Sequence, residues 1–352
     1  MTALRLWGGS RAAPEEAVRH LVAMQAQEHP YARWSVGQRS GADAAAVDAA
    51  FDAGRFLRTH VLRPTWHYVA AEDLRWLMRL SGPLVEARNE RRYRELALDA
   101  RTRAHATDVI TRAVSDASLT RNELADVLES SRLATGGQRM PYLLMHAELH
   151  AAICSGPMRG KAHTYAAFDA RVPSGPGPAG DDALAELALR YFTTRGPATV
   201  KDFGWWAGLP AGKARRAVRL VESGLESQAV DGRTYWFGEM PKGAPRRPRV
   251  DLVQCYDEVI ISYTDSRDVL ATEEVSFAIP RHLDGFTHVV LLDGRLLGHW
   301  RVRPSRQGVD VEARLQQPLD PGERAALDAG IARYQRFVTP RTSTSRPSPA
   351  AS

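Results

Sequence analysis

The chain has 352 residues, 44% hydrophobic and 25% charged, ordinary for a globular protein and too long for one small domain. Its two cysteines, Cys154 and Cys255, lie far apart without a CxxC, which disfavours a disulfide scaffold or a cysteine zinc site. A formal charge of +6, 47 basic against 41 acidic residues, permits a polyanionic partner such as nucleic acid.

Lysine occurs only at 161, 201, 213 and 242. Arginine suits phosphates and base edges because its planar fork donates bidentately, although GC-rich coding also favours it. The N-terminal "MTALRLWGGSRAAPEE" has no apolar h-region and no run reaches membrane-spanning length, so a cytoplasmic protein is expected.

"PEEAVRHLVAMQAQ" opens with Pro14 and two glutamates, good first-turn residues, and Pro30 is expected to end this helix near Gln27. Val18, Leu21 and Val22 form an apolar stripe whose next helical position is Gln25. Gln27 follows two residues later. On a continuing helix the two amides would point about 200° apart; on an extended segment they would share a side. Fraying just after Gln25 would therefore turn both into one cleft. Spacing alone favours the alternative, one buried and hydrogen-bonded amide with the other exposed.

"DAAAVDAAFDAGRFL" reads as a second helix stopped near Gly54, "RTHVLRPTWHYVA" as two short strands around Arg63-Pro64, and "EDLRWLMRLSGP" as a helix ended by Gly82-Pro83. Helix, helix and short hairpin compose a winged-helix unit. In "TRNELADVLES" Thr120 and Glu123 form a capping box. "RMPYLLMHAELHAAICSG" is a further helix, and "PMRGKAHTYAAFD" can fold back as a wing. His146 and His150 stand one helical turn apart, but no third metal ligand is evident and the zincin order fails.

"RVPSGPGPAGDD" is a linker. Beyond it "ALAELALRYFTTRG" is a helix, "TVKDFGWWAGL" carries Thr199 and Asp202 at the capping interval, "PAGKARRAVRLVESG" is a basic helix, and "LESQAVDGRTYWF" supplies a hairpin. That order is helix-turn-helix grammar. "GLPAGK" fails the phosphate-loop spacing. "CYDEVIISYTD" carries Asp257, Glu258 and Asp265, read as a loop that pairs with arginines rather than as acid–base machinery. Asp293-Gly294 in "THVVLLDGRLLGHWRV" marks a hairpin. "GVDVEARL" is a strand, "PGERAALDAGIARYQRFV" a closing helix, and the last residues have too little apolar content to fold.

The blocks "LVAMQAQEHPYARWSVGQR", "RTHVLRPTWHYVAAEDLRWLMRLSGP", "CYDEVIISYTDSR" and "LLDGRLLGHWRV", in this order, resemble the AlkZ/YcaQ-like family of winged-helix DNA glycosylases. The likeness spans about Ala13 to Val338. It implies an α+β chain of tandem winged-helix modules followed by a C-terminal β-barrel-like domain. The expected divisions are 1–171 with the Gln-x-Gln motif, a further module at 181–248, a β-rich domain at 249–338 and a disordered tail at 339–352.

The resemblance also implies excision of bulky or crosslinked alkylpurines from double-stranded DNA, with Gln25 and Gln27 as the catalytic pair. Several members protect producers of DNA-alkylating natural products. The chemistry suits amides, which orient water and stabilise a sugar cation but cannot act as bases at neutral pH. No cofactor or metal, no Schiff-base lysine and a monomeric state are expected. Arg63, His67, Lys213, Arg215 and Arg216 are the candidate DNA contacts. The competing reading is a winged-helix DNA-binding regulator without catalysis, since a fold alone does not name a function.

Overall fold

A computed structural model describes residues 1–8, 12–241, 247–271, 285–305 and 308–339. One element order recurs three times along it. The first repeat comprises α1 (Pro14–His20), β1 (Ala23–Gln25), α2 (His29–Ser40), α3 (Ala44–Asp52), β2 (Phe56–His60) and β3 (Trp66–Ala70). Its sheet order is β1-β3-β2. The long α4 (Ala71–Glu95) follows.

The second repeat comprises α5 (Ala100–Ala113), β4 (Leu119–Thr120), α6 (Arg121–Ser130), α7 (Arg139–Leu149), β5 (Ile153–Ser155) and β6 (Thr164–Ala167), again with the last strand in the middle, β4-β6-β5. Short α8 (Phe168–Arg171) leads into the third: α9 (Gly180–Arg195), α10 (Val200–Ala207), α11 (Ala211–Val221), β7 (Glu226–Val230) and β8 (Arg233–Phe237). There a single residue, Ala198, replaces the first strand and bridges to Trp236 of β8. The expected capping boxes at Thr120/Glu123 and Thr199/Asp202 both form, each satisfying two helix-end donors.

The C-terminal part holds β9 (Val250–Val253), α12 (Glu258–Ile261), β10 (His288–Leu292), β11 (Arg295–Ser305), β12 (Gly308–Leu315) and α13 (Pro321–Val338). Asp293 and Gly294 turn between β10 and β11 with φ of 51° and 84°, both in the left-handed region a two-residue hairpin turn needs. The expected barrel-like closure is not seen among the described residues. The sheet order is β12-β11-β10-β9, and α13 packs on both edge strands. The tail beyond Thr339 lies outside the described residues.

Three apolar cores hold these parts together. One joins Val22, Leu57 and Leu77 to Leu187, Trp206 and Val218, so the first and third repeats share an interior. A second joins Val18 and Trp34 to Leu252, Trp300 and Phe337, which seats the C-terminal sheet on the first repeat. The third, from Tyr93 to Tyr165, belongs chiefly to the second repeat. The apolar interior thus continues across the boundaries expected near 171 and 248.

Three local expectations are corrected. The first helix stops at His20, not near Gln27, because Val22 takes φ of 64°. A β-branched residue there is strained by about 1–3 kcal/mol, which its complete burial holds in place. Pro30 does not end the first helix but sits in the first turn of α2, where its missing N–H has no helical partner to lose. Gly82-Pro83 does not end α4, which continues to Glu95. Gly82 instead allows close helix packing, since a Cβ there would lie 2.9 Å from the Leu149 carbonyl oxygen. Leu77, Met78 and Val85 bury the helix on both sides of Pro83.

Candidate active site

Gln25 is the last residue of β1 and pairs with His67 of β3. The left-handed turn at Val22 has converted the helical stripe into a strand that ends at Gln25, and Gln27 lies in the bend before α2. Just beyond the strand the Ala26 N–H donates to the Trp66 carbonyl at 2.7 Å. Gln25 is buried at 5% exposure and Gln27 is exposed. The Gln27 backbone N–H donates to Gln25 Oε1 at 3.0 Å, so the inner amide is fixed by the outer residue's main chain. One amide is built in and the other is presented.

The strand is clamped by Arg58 and Arg195, which sequence reasoning did not single out, and by Glu258, which it did. Arg58 Nε donates to the Ala26 carbonyl at 2.9 Å, and Arg58 Nη2 to the Gln27 carbonyl at 3.3 Å. Its guanidinium lies 4.2 Å from the centroid of the Trp66 ring. Behind the strand the Gln25 N–H donates to Glu258 Oε1 at 2.9 Å. Glu258 Oε2 accepts from Arg195 Nη2 at 2.7 Å, Ser262 Oγ at 2.8 Å and Trp206 Nε1 at 3.0 Å. Arg195 Nη2 also donates to the Ala23 carbonyl at 3.0 Å. Glu258 and Arg195 are buried at 1% exposure. Burial alone would raise the Glu258 carboxyl, but the adjacent Arg195 charge and the hydrogen bonds hold it below its ordinary value.

The arginine pairing expected for "CYDEVIISYTD" is met at Asp257 and Glu258, while Asp265 pairs with a lysine. Asp257 takes a bidentate fork from Arg39 at 2.7 and 3.0 Å, plus Ser35 Oγ at 2.7 Å. Glu258 takes Arg195, and Asp265 takes Lys201 at 2.6 Å. These three carboxylates thus tie the C-terminal part to the first and third repeats. Glu28, next to Gln27, was also missed. Burial raises its pKa, and its Oε2 lies 3.8 Å from His288 Nε2.

Of the candidate DNA contacts, His67 is corrected: it is completely buried and presents nothing to a duplex. Burial pushes its imidazole well below the ordinary value. Arg63 and Arg215, far apart in sequence, line one cavity of about 870 Å³. Lys213 and Arg216 lie on exposed parts of α11, and Arg216 is paired with Asp181 of α9.

The His146/His150 pair acquires a carboxylate neighbour, Glu86 of α4, with His146 Nδ1 at 2.8 Å. The same Glu86 oxygen lies 3.5 Å from Arg103 Nε, and Tyr93 donates to the other at 2.8 Å. A carboxylate so engaged reads as an ion-pair node. Glu28, Cys255 and His288 also cluster. The Cys255 N–H donates to His288 Nδ1 at 3.3 Å, which turns an Nε2 proton, not a lone pair, toward Glu28.

Two neighbouring glutamines, the inner one on a strand backed by buried ion pairs, thus lie in an α+β fold of three like repeats. The family described as DNA glycosylase AlkZ-like matches residues 18–337, and the chain belongs to it. A curated relative, the interstrand DNA cross-link repair glycosylase of Streptomyces sahachiroi, is 23% identical over 303 residues, covering 82% of this chain and 81% of its own. The solved structure of Streptomyces sahachiroi DNA glycosylase AlkZ superposes with a TM-score of 0.71 at 21% identity, covering 96% of this chain and 94% of that one. No helix among the described residues is long and apolar enough to cross a membrane.

Proposed function

We propose that the chain is a monofunctional DNA glycosylase that hydrolyses the N-glycosidic bond of bulky alkylated or crosslinked purines in double-stranded DNA. It acts without cofactor or lyase step, as a cytoplasmic monomer, and serves self-resistance to a genotoxic natural product. The three helix–strand–helix–helix–strand–strand repeats are taken as winged-helix modules, the third with its first strand reduced to Ala198.

The observation that carries this reading is the division of labour between the two glutamines. Gln25 is immobilised: its N–H is held by Glu258 and its Oε1 by the Gln27 N–H. That leaves a carbonyl dipole of fixed direction beside an exposed amide. The Gln27 side chain orients a water molecule, and the Gln25 oxygen, with a lone pair to spare, faces the positive charge that develops on the sugar.

Water oxygen bonds to C1′ as the C1′–N bond breaks. The bonding pair returns to the cationic imidazole ring of the alkylated purine and neutralises it, and the water proton passes to solvent. A leaving group already charged needs no strong acid, and an amide pair is too weak to release an ordinary base. That is a chemical route to selectivity.

The test is release of a bulky N7-alkylated purine from duplex DNA, run beside thermal melts. Gln27→Ala is expected to slow release by about 10²-fold or more, the scale for losing one positioned polar group, with Tm unchanged. Gln25→Ala should slow release similarly with a modest loss of Tm, while duplex affinity changes little because phosphates dominate it. Wild-type protein that binds DNA and releases none of several adducts would replace this reading with a DNA-binding regulator.

A further inference from the structure

The sequence "GWWAG" of α10 turns two adjacent indoles to different sides of one helix, about 100° apart. Trp206 is completely buried and donates to Glu258, the carboxylate that holds the Gln25 backbone. Trp205 is 50% exposed, unusual for so large an aromatic surface, and it lines the 870 Å³ cavity with Pro64, Val200 and Leu209.

The cavity also carries four cations. Arg88 donates to the Gly208 carbonyl and Lys201 pairs with Asp265. Arg63 and Arg215 have no carboxylate partner among the described residues, and Arg63 Nε is buried without an acceptor. The Arg63 guanidinium carbon lies 5.9 Å from the Trp205 ring centroid. Thr65, in the same wall, lies two residues before His67, the ladder partner of Gln25.

A half-exposed indole between uncommitted guanidinium groups fits a flat π-face flanked by phosphates better than it fits a peptide or a lipid. We propose that this cavity receives one unstacked nucleobase of the bound DNA. In that arrangement Trp205 is the stacking surface, and Arg63 and Arg215 hold the phosphates on either side. The inference rests on the DNA-glycosylase reading for its partner, but adds a base-binding site separate from the two glutamines. Trp205 is then a specificity residue that favours DNA whose stack is already broken, and its rigidity relative to Gln25 comes from the Trp206–Glu258 bond.

The experiment compares binding to a duplex with one bulged 2-aminopurine and to the fully paired duplex, without reading base release. Wild-type protein should prefer the bulge and quench its fluorescence. Trp205→Ala should lose about tenfold in affinity for the bulged duplex, within the range one base–aromatic stack contributes, and lose the quenching, with paired-duplex affinity unchanged. Trp205→Phe should keep most of both. Gln27→Ala should keep the preference entirely, which separates failure here from failure of the catalytic reading. Absence of a bulge preference in wild type overturns the proposal. So does an equal fall on both duplexes in Trp205→Ala, or retained quenching in that variant.

Discussion

The first and third repeats share one topology and differ in what surrounds their hairpins. In β2–β3 every residue but Trp66 is buried, whereas β7 is exposed throughout and β8 at least partly exposed. Helix α7 and β5 of the second repeat pack on β2, and Leu57 and Val69 share a core with Leu187 and Val218 of the third repeat, so the first hairpin is closed in beside the two glutamines. The third hairpin packs on α9 and α10 of its own repeat and faces solvent beside the cationic α11. The same chain order therefore yields a rigid site in one case and a solvent-facing surface in the other, and the difference is supplied by neighbours rather than by the hairpins themselves.

The most damaging break should fall behind the first hairpin. Arg195→Ala leaves Glu258 buried and unpaired, and should cost about 3–5 kcal/mol, read as a large drop in urea midpoint and in Tm. The double change Arg195→Met with Glu258→Met should be milder than the single one, because it removes the orphaned charge as well. Equal damage from both would show that the pair's role is packing.

Acid should be the next largest effect. Burial pushes the imidazoles of His20, His163 and His288 down to about 4 and that of His29 to about 2. Below about pH 6.5 the unfolded chain takes up these protons and the folded chain does not, so stability is full above that pH and declines as pH falls toward 4. Each such histidine contributes at most about 1.4 kcal/mol per pH unit. Glu258 adds a loss of the same sign as pH falls through its lowered folded value. Tm measured from pH 7 to pH 4.5 should fall throughout, and His163→Asn should flatten the curve. A flat wild-type profile would show that these histidines titrate normally.

The third repeat should respond to salt and hardly to heat. Replacing Lys213, Arg215 and Arg216 together should shift Tm little and reduce the slope of log affinity against log salt by about 0.9 for each phosphate no longer neutralised. Arg216 should contribute least, since Asp181 already engages it. An unchanged slope would place the DNA elsewhere. The smallest effect is expected at Val230, 44% exposed on β7. Val230→Lys should stay within about 0.5 kcal/mol of wild type, and a larger loss would mean that this hairpin is covered after all.

Much of this was legible in the sequence because it depends on neighbours in the chain. The capping boxes at Thr120 and Thr199, the turn at Asp293-Gly294 and the helix-turn-helix order around Lys213 are all set within a few residues. The order of the Gln-x-Gln block and its companions likewise pointed to a family, although His67, in the same stretch, proved a buried structural residue. Helix α2 was missed because Pro30 reads equally well as a stop and a start, and α4 outran Pro83 because its packing outweighs a local rule.

By itself the sequence determined the local punctuation, the amide pair and the cationic balance, since these are properties of composition and short spacing. Only the tertiary structure decided that Val22 breaks the helix and sends Gln25 into a sheet. It alone brought Glu258 to Gln25 across 233 positions and Arg195 to Ala23 across 172, and set Arg63 and Arg215 around Trp205. Periodicity reports which side a residue faces, and burial of charge is decided by partners that arrive from elsewhere in the chain. A carboxylate such as Glu258 can stay ionised in the interior because an arginine from a different repeat meets it there.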